Sequence, residues 1–386
     1  MKAITNTNLI LEDGIIFDGT ILFDEQSIID FGEKDKVVIP NDAEIIDANG
    51  LYTAPGFIDI HNHGAPMALF VNEPLKCAEY FIKHGQTTVL PTLYYDLNLE
   101  QMLEGARKIK DASKEGAGKI IQGLYMEGPY MNSGVGSNLK YICWHSDIAE
   151  KDFAPLVSEI GDFVKVWAID PARKNIEVFL SYVRERYPNV VFALGHSVAT
   201  SEDVKKVRKY GITLQTHTQD SGKAQGLAQG TLGAGCDEYT LYNPDMYAEI
   251  ICDYMGIHVV PDLVKLVIRT KGVEKMVLIT DAMTKSGDYV NNAEKGIPYG
   301  PDINYDYQGF VSGSRLTMDD AVRNVMRHTG YGLCHAVRFA TLNPAKAIGI
   351  DKEYGSIEIG KKPNLILIDD KVNVKKVFLF GEQMSI

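Results

Sequence analysis

The sequence predicts an α/β protein: a (β/α)8 TIM barrel carrying a small β-sandwich built from both chain ends. Three observations predict it. Eight short apolar runs alternate with helix-like stretches between Tyr52 and Gly349. Residues 1–53 and 350–386 share a different pattern, in which β-prone runs are separated by turns. Polar and titratable residues recur at the ends of the apolar runs, the rim on which the sites of such barrels are built.

The N-terminal runs are 9–11, 14–17, 20–23, 27–32 and 36–39, broken by Asp-Gly, Asp-Glu and similar turn pairs. The C-terminal runs are 356–360, 364–368 and 375–380. Neither end alone makes a stable sheet, so together they predict one sandwich with the barrel, residues 54–349, inserted between them. The expected barrel strands are 57–60, 87–93, 120–126, 164–169, 190–194, 213–215, 249–252 and 276–280. Helices are expected over 99–114, 174–186 and 201–210. The last has Ser201 as its cap and Glu202–Lys206 as an i,i+4 charge pair. Residues 289–308, rich in Asn, Asp, Gly and Tyr, read as a long loop or lid.

Bulk properties narrow the function. The 386 residues are 45% apolar and 23% charged, as in an ordinary globular protein. A net charge of −12 argues against nucleic acid or an anionic membrane as the main partner. A small anionic substrate stays compatible, because a metal and a few local cations set the field in a pocket. Cys77, Cys143, Cys236, Cys252 and Cys334 are scattered and form no CxxC pair. They fit a reducing cytoplasm better than a disulfide framework or a structural zinc site. The first residues lack the apolar core of a signal peptide. No apolar run approaches the ~20 residues of a membrane helix.

The candidate chemistry lies in four separated segments. His61 and His63, spaced i, i+2, share one face of an extended segment and suit Zn²⁺ or another borderline metal. Glu127 ends an apolar run, where a carboxylate needs a metal or a cation beside it. His196 and His217 each follow an apolar strand and precede a small polar residue. With Glu127 they complete a two-His, one-carboxylate set that leaves room for water. Asp281 follows Val277-Leu278-Ile279-Thr280 and can serve as metal ligand, general base or helix cap. His258 reads as either a substrate contact or a packing residue. His84, His328 and His335 read as structural, and His145 is the least clear of that kind. The glycine clusters at 230–235 and 313 lack the Gly-Lys-Ser/Thr of a phosphate loop.

These residues resemble the amidohydrolase superfamily, of the metal-dependent hydrolase type, and within it the N-acetylglucosamine-6-phosphate deacetylase family. The resemblance runs from Ala54-Pro55-Gly56-Phe57-Ile58-Asp59 through Glu127-Gly128-Pro129, Gly195-His196-Ser197, Ile279-Thr280-Asp281-Ala282 and Ser312-Gly313-Ser314 to Asn343-Pro344-Ala345. Strand 4 ends at Ile169-Asp170-Pro171, with no lysine to modify at its tip, unlike other branches of the superfamily. The resemblance implies Glu127, His196 and His217 as main metal ligands, and His61 and His63 as holders of a second ion. It implies Asp281 as catalytic acid/base and His258 as the group that polarises the substrate carbonyl. A divalent metal is implied, one or two ions per chain, with Zn²⁺ suited and Fe²⁺ or Mn²⁺ compatible. So is a homodimer acting on a small amino-sugar substrate.

The family pattern is departed from where the sugar phosphate would lie. The run His217-Thr218-Gln219-Asp220-Ser221-Gly222 puts Asp220 where the family carries an asparagine, and a carboxylate there repels phosphate. Lys223 stands in for an arginine, without its bidentate fork. Residues 130–145 lack the usual Lys-Gly-Ala-His run and carry Lys140 and His145; Ser314 and Arg315 are further candidates for the substrate. The expected reaction is hydrolysis of the N-acetyl amide, on the 6-phosphate or on an unphosphorylated or different N-acyl compound. Another hydrolase on the same scaffold competes with this reading, and Glu127-Gly128-Pro129 argues against it. A catalytically dead scaffold protein would have lost ligands that are all present here.

Overall fold

Eight parallel strands form a nearly closed barrel in the computed structural model, which describes residues 1–220, 231–284 and 300–386. They are β1 (Phe57–Asn62), β2 (Gln86–Tyr94), β3 (Leu124–Glu127), β4 (Val164–Ile169), β5 (Val191–Leu194), β6 (Ile212–Gln215), β7 (Tyr247–Ile251) and β8 (Met276–Ile279). Each pairs with its sequence neighbour, from β1 to β8 around the ring. Every residue of β1, β3, β5 and β8 is buried, which explains why they read as continuous apolar runs rather than alternating ones. The expected third strand, 120–126, is shorter than its apolar run, because Gly116–Ile120 turns into a 3-10 helix first.

The ring closes by a clasp instead of a full ladder. Asn62 bridges Ala282, the Asp281 N–H donates to the His61 carbonyl at 2.9 Å, and the His63 N–H donates to that of Ala282 at 2.8 Å. Beneath them the wholly buried Asp59 accepts from Thr280 Oγ1 (2.6 Å), Asn62 Nδ2 (2.8 Å) and Gln86 Nε2 (2.9 Å). Burial pushes its carboxyl up, to about 6, against the pull of these donors.

The surrounding helices follow local capping rules. Leu99–Ala112 starts in a capping box of Asn98 and Gln101. Pro261 opens Pro261–Lys271, where its missing N–H costs nothing. Ser201–Val207 is capped by Thr200, not by the expected Ser201. The Thr200 side chain accepts from the Asp203 N–H, and the Asp203 carboxylate returns the bond, a reciprocity Ser201 cannot offer one residue inside the helix. The charge pairs there are Glu202–Lys205 and Asp203–Lys206, spaced i,i+3 instead of the i,i+4 of the expected Glu202–Lys206.

Strands from both chain ends join in one connected eight-stranded sheet. Lys2–Ile10 lies at its centre, beside Ile15–Phe23, Glu44–Asp47 and Tyr52–Pro55, and Leu365–Ile368 pairs antiparallel with Tyr52–Pro55. Ile4, Leu9, Ile21, Phe23, Leu365, Leu367 and Phe378 share one buried cluster, with the Phe23 and Phe378 rings edge-on at 5.7 Å. The N-terminal strands run beyond their apolar runs, passing through irregularities in register near which Asn6 and Asp18 take left-handed backbone. Of the expected lid, residues 289–299 lie outside the described residues, and Ile303–Tyr305 pairs with Val311–Ser314 as a hairpin. No helix among the described residues is long and apolar enough to cross a membrane.

Candidate metal centre and active site

Six predicted residues meet at one end of the barrel, although 220 positions separate His61 from Asp281. Glu127, the last residue of β3, is their hub. Its Oε1 lies 2.8 Å from His196 Nε2 and 3.1 Å from His217 Nε2. Its Oε2 lies 3.1 Å from His63 Nε2 and 3.5 Å from His61 Nε2. Asp281 Oδ1 faces the same two imidazoles, 3.2 Å from His63 and 3.6 Å from His61. All six are buried or nearly so.

Backbone geometry turns these side chains inward. His196, His217 and Asp281 each lie just past a strand end with φ of 42°, 25° and 46°. For residues with a Cβ, such left-handed backbone costs on the order of 1–3 kcal/mol each. Neighbours hold it: Asp170 accepts from Ser197 Oγ at 2.5 Å and from Asn132 Nδ2 at 3.1 Å, and the Asn132 N–H donates to the His196 carbonyl. Asp170 is the residue at the tip of β4 where no lysine was found, and its role is to brace the His196 turn.

The donor set fits divalent metal. Two carboxylates and four imidazoles converge, and His61 Nε2 is buried with no hydrogen-bond partner. His61, His63 and Glu127 form one group whose ligand atoms lie within 4.8 Å of one another; Glu127, His196 and His217 form a second. Glu127 belongs to both.

Charge and burial oppose each other throughout. Burial alone would raise Glu127, but the facing His61 and His196 hold its carboxyl well below the usual range. Burial would likewise raise Asp281, and His61 and His63 hold it down, so it is an ionised carboxylate. Burial lowers His63 and His217, yet Asp281 and Glu127 lift the first to about 9, and chiefly Glu127 lifts the second to about 9. Protein stripped of metal therefore holds protons here at pH 7 that an incoming cation must displace. Zn²⁺ uptake is expected to release protons and to strengthen as pH rises toward 9. Calorimetric titration in buffers of different ionisation enthalpy measures both; uptake without proton release would refute the expectation.

A cavity of about 420 Å³ opens above the centre, lined by His63, Glu127, His196, His217, Asp281 and Asp220. Tyr94, Asp96, Gly136, Ser137 and Ser312 wall its other sides. Its described lining holds four carboxylates and neither lysine nor arginine. Residues 135–138 form a strap tied to both sides: Tyr95 Oη donates to the Val135 carbonyl, Tyr94 Oη to that of Ser137, and the Ser137 and Ser312 hydroxyls meet at 2.8 Å. Gly136 passes so close that a Cβ there would lie 2.5 Å from His196 Nδ1, at a φ of 106°. Gly136→Ala is expected to displace His196 or the strap and to lower kcat/KM by about 10²-fold. Steady-state kinetics at a substrate concentration series test it.

The remaining candidates are placed as follows. Asp220 lines the cavity, its Oδ2 4.0 Å from His217 Nδ1. His258 is not among the lining residues. It is buried after β7, its Nδ1 3.3 Å from Asp253 Oδ2, while its Nε2 has no hydrogen-bond partner. Burial lowers His258, but Asp220 and Asp253 outweigh it and raise it. Ser314 does not reach the cavity, because its buried hydroxyl donates to the Thr280 carbonyl at 2.5 Å and accepts from the Leu316 N–H. The Lys140 ammonium rests 3.6 Å over the Tyr307 ring, away from the lining. His145 is exposed, with Nε2 2.7 Å from the Ile142 carbonyl, and Arg315 reaches the Gly300 carbonyl. Ser221 and Lys223 lie outside the described residues.

Three acids escaped the sequence reading. Glu249 lies in mid-β7 against His61, Asp253 orients His258, and Asp96 lines the cavity beside Tyr94. A lone charge inside the apolar run Ala248–Ile251 was the signal for Glu249.

Comparison with known proteins places this geometry. The model of the family described as "Amidohydrolase family" matches residues 52–384. An N-acetylglucosamine-6-phosphate deacetylase of Haemophilus influenzae is 28% identical, over 90% of this chain and 92% of its own length. An N-acetylgalactosamine-6-phosphate deacetylase of Escherichia coli O157:H7 is also 28% identical, over 90% of each chain. The crystal structure of the N-acetylglucosamine-6-phosphate deacetylase of Pasteurella multocida superposes with a TM-score of 0.84 at 24% identity. It covers 100% of this chain and 99% of that one, a likeness of fold.

Proposed function

The chain belongs to the amidohydrolase family, and on that premise we propose that it hydrolyses the N-acetyl amide of an N-acetylhexosamine 6-phosphate, giving acetate and the amino-sugar phosphate. N-acetylglucosamine-6-phosphate is the leading substrate. The observation that carries the reading is Glu127, shared between two imidazole pairs with Asp281 facing the same space. Relatives bearing the deacetylase name over nine-tenths of the chain support the substrate class.

Glu127, His196 and His217 would hold a divalent cation, and His61 and His63 a second, which would supply Lewis acidity toward water and toward the acetyl carbonyl. Asp281 takes a proton from the attacking water and returns it to the departing nitrogen as the C–N bond breaks. Its ionised state and its place 3.2 Å from His63 suit the first task. The resemblance gives His258 the task of polarising the substrate carbonyl. Its Nδ1 is engaged by Asp253 and its Nε2 has no hydrogen-bond partner, which is compatible with that task, but it lies behind the described cavity lining. The strap 135–138 restricts water over the centre. We read the ion as Zn²⁺, with Fe²⁺ or Mn²⁺ served by the same donors. We read the assembly as a homodimer from the resemblance, and the compartment as the cytoplasm, in keeping with five free cysteines.

A second reading has its own support. The described cavity lining offers four carboxylates and no side-chain cation beyond imidazole, which favours an unphosphorylated N-acyl substrate. Acetate release from N-acetylglucosamine with and without the 6-phosphate, by metal-replete protein at matched concentrations, separates the two. Preference for the ester supports the leading reading, with Lys223 as the first candidate for the phosphate. Equal rates, or turnover of the free sugar alone, support the second. No acetate from either refutes both as applied to this sugar.

A further inference from the structure

One buried carboxylate beside the centre has no part in the chemistry above. Glu249 sits in the middle of β7, wholly buried between Ala248 and Ile250, which are themselves wholly buried. Its Oε2 lies 3.2 Å from His61 Nδ1 and accepts from the His217 backbone N–H at 3.2 Å. Burying a carboxyl group takes it out of water and carries a desolvation penalty. A small apolar side chain would fill a barrel strand without that penalty, so packing gives no reason for a glutamate. Its contacts with His61 and His217 supply one. His61 belongs to one three-residue group and His217 to the other, and Glu249 touches both, through the His61 ring nitrogen opposite the one that faces Glu127 and through the His217 backbone N–H.

We propose that Glu249 is a positioning residue that sets both halves of the metal centre from below. By accepting the Nδ1–H of His61 it fixes the tautomer that leaves Nε2 as a lone pair. That nitrogen faces Glu127 at 3.5 Å and Asp281 at 3.6 Å, and the Tyr125 ring, 4.5 Å from the imidazole, keeps it from swinging out. By accepting from the His217 N–H it holds that residue at its left-handed φ of 25°. Glu249 thus acts through two ligands and touches neither substrate nor reacting atoms. The proposal rests on the metal-dependent reading of the site.

The test is metal affinity, separate from turnover. Wild type, Glu249→Gln and Glu249→Ala, stripped of metal, are titrated with Zn²⁺ against a chromophoric chelator, and the metal-free forms are melted in parallel. Glu249→Ala is expected to bind Zn²⁺ about 10–100-fold more weakly. Glu249→Gln, which keeps one oxygen as acceptor, is expected to lose less. Alanine protein with wild-type stoichiometry and affinity overturns the proposal, and so does a lowered melting temperature with affinity unchanged. Should the alanine variant not fold, unchanged affinity in Glu249→Gln overturns it equally. If wild type itself takes up no Zn²⁺, Fe²⁺ or Mn²⁺, the metal-dependent reading fails and this proposal falls with it.

Discussion

Asp281→Asn is expected to lower kcat by about 10²–10⁴-fold while leaving KM within a few-fold. The amide is nearly isosteric with the carboxylate, so it keeps the shape of the centre, but it can neither accept the proton of water nor return it to nitrogen. Neither three-residue ligand group includes Asp281, so bound metal should stay near the wild-type amount. Elemental analysis beside steady-state kinetics separates the two effects. Retention of more than a tenth of wild-type kcat would mean that another group moves the proton. Loss of metal in step with activity would mean that Asp281 is chiefly a ligand.

Glu127→Gln is expected to have a larger and different effect. Glu127 is the only residue common to both ligand groups, and its two oxygens divide the four imidazoles between them. A neutral amide removes the negative charge that both cations would share. Residues that merely support a ligand change metal affinity by about 10–100-fold, so loss of this one should cost at least about 100-fold at both positions. Activity should then fall to background even at saturating substrate. Atomic emission on dialysed protein is the check, and a variant that retains a full complement of metal would show that the two groups do not depend on one shared carboxylate.

Much of this arrangement is legible before any coordinates. The barrel is legible because its strands are buried on both faces, which makes them short unbroken apolar runs, and because Glu127, His196 and Asp281 close those runs. The candidate ligands are legible because imidazole and carboxylate have few other reasons to end buried strands. What lies beside the ligands is harder to read. Glu249 is a single charge in a strand, and only its partner across the ring explains it. Ser314 and Arg315 neighbour a family motif, yet a strand turns each side chain one way only, and that of Ser314 turns to the Thr280 carbonyl. The strap 135–138 depends on contacts with the hairpin near Ser312, more than 170 positions downstream, and no local pattern announces it. Thr200 displaced Ser201 as a cap because capping is decided by reciprocity with Asp203, not by residue type.

The clasp between β1 and β8 bears on how the protein comes into being. Asp59 and Thr280, 221 positions apart, meet only when nearly the whole catalytic portion of the chain is in place. Contacts of such long range form late, after the entropy of closing the loop has been overcome. His61, His63 and Asp281 hang from that late junction, whereas Glu127, His196 and His217 come from strands within the arc β3 to β6. On the proposed reading, a nascent chain would own the Glu127, His196 and His217 group before it owns the carboxylate assigned to proton transfer. Completion of the ring would then also bring Asp281 beside the two metal groups, and a partly folded molecule is expected to release no acetate.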